Sequence, residues 1–139
     1  MKVVVDTNVM LAALPKSSTS HIIFLELLRG SYSLCITNDI LSEYEEIFRI
    51  KANQGVATLA LDVLDILPNL LRINKYFFWN LITVDPDDNK FVDCAVSANA
   101  DFIVTDDKHF NVLKKVHFPV VRIISSDDFI EMLLNQVAS

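Results

Sequence analysis

Glycine is nearly missing from this chain: Gly30 and Gly55 are the only two in 139 residues. A loop that cradles phosphates with backbone amides needs several glycines at fixed offsets, so the usual dinucleotide and P-loop fingerprints are excluded. Proline is also sparse, at four residues, and no repeat or low-complexity tract interrupts the sequence. Long flexible linkers are therefore not expected, and residues 1–139 read as a single domain. The two cysteines, Cys35 and Cys94, sit in apolar contexts without metal-type spacing. That pattern fits free, buried thiols in a reducing compartment and argues against a disulfide framework. A clean membrane-spanning run is lacking too. The longest apolar stretch, VATLALDVLDILPNLL at 56–71, carries Asp62, Asp65 and Pro68, which makes it a packed helix. The first strand begins at Lys2 or Val3 and leaves no room for a removable leader, so a cytoplasmic location with no membrane partner is expected. Positive charge is in deficit, with 12 Lys and Arg against 18 Asp and Glu, a net charge of −6. A broad basic clamp for nucleic acid is thereby disfavoured, although acids gathered around a divalent cation would reverse the local sign.

What is present is a regular alternation of strand and helix patterns. Val3–Val5 is a continuous apolar strand of the kind buried on both faces of a parallel sheet. A helix over 20–29 ends at Gly30, and YSLCIT (32–37) forms a second strand. The segment 38–50 is a helix with Asn38 or Asp39 as its cap, and 54–73 holds one or two helices with a break near Pro68. LITV (81–84) reads as the third strand, followed by the turn DPDD (85–88) and a helix over 89–99. DFIVTD (101–106) is the fourth strand, DKHFNVLKK a short helix and PVVRII the fifth strand. The last helix, SSDDFIEMLLNQV, is capped by Ser125 or Ser126. This order predicts a three-layer α/β/α sandwich around a mostly parallel five-stranded sheet.

Ligands of such sheets gather at the carboxyl ends of the strands. Asp6 follows the first strand, Asp85, Asp87 and Asp88 the third, and Asp106 and Asp107 the fourth. Asp6 has an ordinary alternative as the cap of a helix starting at Thr7. Glu43 is tested by a helical wheel at about 100° per residue. Ile40, Leu41, Tyr44, Ile47, Phe48 and Ile50 form one apolar arc, and Glu43 falls inside it, whereas Glu45 and Glu46 fall outside. A carboxylate facing a core needs either a cationic side chain or a metal. Asp88 projects toward the buried side of its helix at the helix mouth, and Asp85-Pro86 starts the turn before it. Asp93 falls on the opposite, polar side with Asn89 and Ser97, as suited to a solvated charge as to a site. Spacing does not decide which of Asp106 and Asp107 points inward.

Several carboxylates without a patterned His or Cys form an oxygen-only donor set, which suits Mg²⁺ or Mn²⁺ better than zinc or copper. Phosphodiester hydrolysis is the matching chemistry, because such cations activate water and stabilise charge developing at phosphorus. His21, His109 and His117 follow no ligand spacing and read as surface or cap residues. Ser17, Ser18 and Ser20 lack a nucleophile-elbow setting. Lys16, Lys90, Lys108, Lys114 and Lys115 could contact phosphates, though solubilising charge explains each singly.

VVVDTNVMLAAL near the start, LSEYEEIF in the middle and DPDDNKFVDCAVSANADFIVTDDKHF further on together resemble the PIN domain, in particular the bacterial PIN proteins regarded as toxins of toxin–antitoxin pairs. The resemblance covers nearly the whole chain in order. It implies a metal-dependent ribonuclease acting on RNA, with Asp6, Glu43, Asp88 and Asp107 as catalytic, cation-holding acids. Asn8 supports the first acid, Thr7 and Thr105 order the surroundings, Asp85 orders the turn, and Asp93 is a ligand of second rank. Asp106 stands where many relatives carry glycine. The resemblance further implies a homodimer and a small antitoxin partner. Two other classes compete. One is a PIN-like module that binds RNA or protein without cutting. The other is a phosphatase with Asp6 as nucleophile, whose chemistry usually wants a second acid where this chain has Asn8.

Overall fold

The computed structural model describes residues 1–138, with side chains through Gln136. Five strands, β1 (Lys2–Val5), β2 (Ser33–Ile36), β3 (Leu70–Arg72), β4 (Phe102–Val104) and β5 (Ile123–Ile124), form one sheet in the order β3-β2-β1-β4-β5. Every pairing is parallel. Side chains of successive strand residues point to opposite faces, yet Val3, Val4 and Val5 are all completely buried. Both faces of the central strand are therefore covered, and β1 sits in the middle of the core. The helices that cover the sheet are α1 (Thr7–Ala13), α2 (His21–Leu28), α3 (Asn38–Lys51), α4 (Gln54–Ile66), α5 (Asn89–Ala98) and α6 (Ser126–Ala138). Short 3₁₀ segments occupy Pro86–Asp88 and Lys108–Lys115. α5 packs on β1, β2 and β4, and α2 packs on α6, where Tyr32 meets Phe129 edge to face. Cys35 and Cys94 are buried and free. Among the described residues no helix is long and apolar enough to cross a membrane.

The local signals act as the sequence suggests in most places. Gly30 ends α2 with φ +80°, a conformation that a side chain would strain. The Ser125 hydroxyl caps α6 by accepting from the Asp128 amide. The cap of α3, however, is Thr37 and neither Asn38 nor Asp39. Asp39 lies in the first turn instead, where it accepts from the Ile40 amide and pairs with Lys75.

The third strand is the main correction. It is Leu70–Arg72, read from sequence as part of a helix, while LITV (81–84) is not a strand. Pro68 explains the first half: it cannot continue α4, and the residues beyond it extend and pair with β2. Asn89 explains the second. Its side-chain oxygen accepts from the Ile82 amide at 2.9 Å and its side-chain nitrogen donates to the Ile82 carbonyl at 2.8 Å. One amide side chain thus supplies the two backbone partners that a neighbouring strand would give, and Ile82 is buried without joining the sheet. The turn DPDD is therefore delivered by an irregular segment, 73–85, and not by a strand end. The fifth strand is also shorter than PVVRII, because only Ile123 and Ile124 pair with β4.

Candidate metal centre

β1 ends at Val5, and Asp6 turns the chain into α1. Asp6 occupies the capping position, but its carboxylate makes no capping hydrogen bond. It accepts instead from the Thr105 hydroxyl at 2.8 Å, just beyond β4. The same Thr105 oxygen accepts from the Asp107 amide at 3.1 Å, so one hydroxyl ties the loops after β1 and β4 together. Asp6 is almost fully buried, and that burial, followed by the charges of Asp107 and Glu43, raises its carboxyl above the usual range; the Thr105 hydrogen bond opposes the rise.

α3 is locked to the same edge. The buried Tyr44 hydroxyl donates to the Val5 carbonyl, and the Thr7 hydroxyl donates to Glu43. Glu43 thus joins Asp6, as the wheel suggests, and it also has the cationic partner that was the alternative. Lys90 on α5 lies 2.8 Å from Glu43 Oε1 and 2.8 Å from Asp87 Oδ1. Burial works against the Lys90 ammonium, but its bonds to Asp87 and Glu43 prevail and raise its pKa. Lys90 is therefore no free phosphate contact in this arrangement.

Asp88 stands where α5 begins, and its side chain is only 14 % exposed. Burial, then the charges of Asp85, Asp107 and Asp6, push its carboxyl up to about 7, with His109 opposing. Its Oδ2 atom is enclosed and has no hydrogen-bond partner. Such an atom is costly unless something satisfies it. Asp85 orders the turn by accepting from the Asp87 amide at 3.2 Å.

After β4 the two adjacent acids divide. Asp106 accepts from the Ser126 amide at 2.9 Å and the Ser126 hydroxyl at 2.6 Å, which commits it to the start of α6. Asp107 accepts from the His109 amide, and its charge acts on both Asp6 and Asp88. A cavity of about 340 Å³ opens beside Asp6 and Asp107 and is lined also by Asn8, Asp106 and Ser126. Asn8 is exposed there.

One sequence reading changes here, and another gains neighbours. Asp93 is 2 % exposed, not on a solvated face. It accepts from the Trp79 amide at 3.1 Å and lies in the field of Lys75 and Asp39. Asn89, placed on that same polar side, is buried as well. The covering segment 73–85 makes both buried, and no helical wheel could reveal it. His109, read as a surface or cap residue, is indeed exposed, and its Nδ1 lies 3.7 Å from Asp88 Oδ2 and 3.5 Å from Asp107 Oδ1. With Asp85 and Asp88 it forms a group whose ligand atoms all fall within 4.8 Å of one another. A ring nitrogen thus stands among the carboxylates at this edge. The one sequence signal was position: His109 follows Asp107 by two residues, inside a tight turn.

The family model described as PIN domain matches residues 2–109. No curated protein matches the sequence significantly. A chain from the crystal structure of VapBC2 from Rickettsia felis, bound to a DNA fragment from the VapBC2 promoter, superposes with a TM-score of 0.63 over 90 % of this chain and 98 % of that one, at 18 % identity. The family match covers every acid described above, from Asp6 to Asp107, and the chain belongs to the PIN-domain family.

Proposed function

We propose that this protein is a divalent-cation-dependent endoribonuclease, the toxin of a toxin–antitoxin pair, acting in the cytoplasm as one domain and as a homodimer. The observation that carries this reading is the mutual repulsion of Asp6, Asp88 and Asp107, with one Asp88 oxygen buried and unpartnered. Acids whose charges raise one another's pKa favour a cation between them. Asp6, Glu43, Asp88 and Asp107 would hold Mg²⁺ or Mn²⁺, and their carboxylate oxygens suit either ion. Such a cation, when bound, neutralises the acids and supplies the charge stabilisation and water activation that phosphodiester cleavage needs. The chain's own residues set the geometry. Thr105 fixes Asp6 and the Asp107 backbone, Thr7 fixes Glu43, and Asp85 shapes the turn that presents Asp88. Asn8 lies at the open side, where substrate RNA would enter. The products are 5′-phosphate and 3′-hydroxyl ends. The likeness to a VapBC2 chain supports an antitoxin as partner.

Cleavage of a mixed RNA pool with Mn²⁺, followed by end-mapping, tests this reading. Asp6→Asn and Asp88→Ala should each lower the rate by more than about a hundredfold without loss of fold. Undiminished cleavage by either variant would remove that residue from the site. The Lys90–Glu43 ion pair favours a second reading, a binding module whose acids are neutralised internally. Titration with Mn²⁺ separates the two, since failure to bind the ion at millimolar concentration would leave only the module.

A further inference from the structure

We infer that His109 is itself a cation ligand, completing with Asp85 and Asp88 a mixed nitrogen–oxygen site that selects Mn²⁺ over Mg²⁺; this rests on the cation-dependent reading above and names the ion it uses. The first observation is spacing. The Nδ1 atom of His109 stands 3.7 Å from Asp88 Oδ2, beyond hydrogen-bond range, and an Asp85 oxygen completes a set within 4.8 Å. Bonds of about 2.1 Å to one ion set its ligands about 3 Å apart when adjacent and about 4.2 Å apart when opposed. One ligand atom from each of the three residues thus comes within reach of a single ion after a small side-chain adjustment, and Nδ1 also stands 3.5 Å from Asp107 Oδ1 at the same edge.

The second observation is independent of spacing. Asp88 Oδ2, 3.7 Å from His109 Nδ1, is shut away from solvent and has no hydrogen-bond partner. Asp85 Oδ1 already accepts from the Asp87 amide, which fixes the carboxylate and leaves its other oxygen to the ion. His109 is fixed by its own backbone, whose amide donates to Asp107 at 2.9 Å. Its side chain is 41 % exposed, so the site is open to an entering ion and to water. Imidazole nitrogen is a good donor to transition-metal ions and a poor one to Mg²⁺, which demands oxygen. A nitrogen in the set therefore biases the choice away from Mg²⁺ and toward a transition-metal ion, Mn²⁺ being the one among them that also accepts the carboxylates.

Two measurements on the full chain test this. Calorimetric titration gives the Mn²⁺-to-Mg²⁺ affinity ratio for wild type, His109→Asn and Asp85→Asn. Electron spin-echo modulation of the Mn²⁺-loaded protein, with and without ¹⁵N-histidine, reads a coordinated imidazole directly. Thermal melting verifies that each variant folds, and His117→Asn serves as the control, since His117 lies outside the donor group. The wild type and His117→Asn should show nitrogen coupling. His109→Asn should lose it, and its preference for Mn²⁺ should fall on the order of tenfold. Mn²⁺ binding without nitrogen coupling, or an unchanged ratio in His109→Asn, would overturn the role of His109 and leave the ribonuclease reading standing. No Mn²⁺ binding by the wild type would overturn both.

Discussion

Single residues at this edge carry charge in ways that the solvent does not relieve. Asp88 is the sharpest case, with its carboxyl pushed from the usual 3.8 to about 7. The folded chain then holds a proton that the unfolded chain releases between those values. Without cation, stability should fall as pH rises from about 4 to about 7 and level off above. Asp88→Asn should flatten this slope and stabilise the cation-free protein at pH 8 by about 1–2 kcal/mol. Thermal melts in chelator at pH 5 and pH 8 read both effects; a slope that persists in the variant would place its origin elsewhere. Lys90 acts in the opposite sense, since it neutralises Glu43 and Asp87. Lys90→Gln should cost about 1–2 kcal/mol in chelator, because it leaves the half-buried Glu43 without its cation while Asp87 is exposed, and added Mn²⁺ should recover most of that loss. A variant as stable as wild type in chelator would show that the pair contributes nothing.

At the scale of elements, the site depends on a segment with no regular structure. Residues 73–85 leave β3, cross the α5 side and arrive as the turn that carries Asp85 and Asp88. Asn89 and Asp93 hold it: one clamps both polar groups of Ile82, the other accepts from Trp79. These two polar residues were the ones that looked like a solvated helix face. Asn89→Leu keeps comparable volume and removes both clamps, leaving buried backbone groups unpaired. Its cost should be about 2–3 kcal/mol, and hydrogen exchange at the Ile82 amide should quicken ahead of the β1 amides. Equal protection of Ile82 in the variant would mean that packing alone holds the segment.

At the scale of the whole molecule, the described residues include a group of exposed aromatics. Tyr76, Phe77, Phe78 and Phe118 are between 67 % and 80 % exposed. Trp79 links two of them, with its ring centroid 5.9 Å from Phe77 and 6.0 Å from Phe118. Exposed aromatic clusters of this kind mark association surfaces. If the homodimer uses this face, sedimentation of the chain without any partner will give a dimer, and Phe77→Ser with Phe118→Ser will give a monomer of unchanged melting temperature. A dimer that survives both changes would use another face.

The alternation of apolar strands with amphipathic helices, and the placing of Asp6 and Asp107 after two of those strands, were already determined by the sequence, because hydrophobic periodicity and turn residues act over a few positions. The family was legible for the same reason: its motifs are short and lie in order along the chain. What the tertiary structure alone decided is which groups meet. Leu70–Arg72 became a strand because β2 offered a free edge, and Ile82 did not because Asn89 had taken its hydrogen bonds. Asp106 was drawn off by Ser126, Asp93 was roofed over, Lys90 reached Glu43, and His109 turned toward Asp88. Each of these depends on contacts between segments that no local pattern relates, and on burial, which belongs to the assembled layers and not to any one helix or strand.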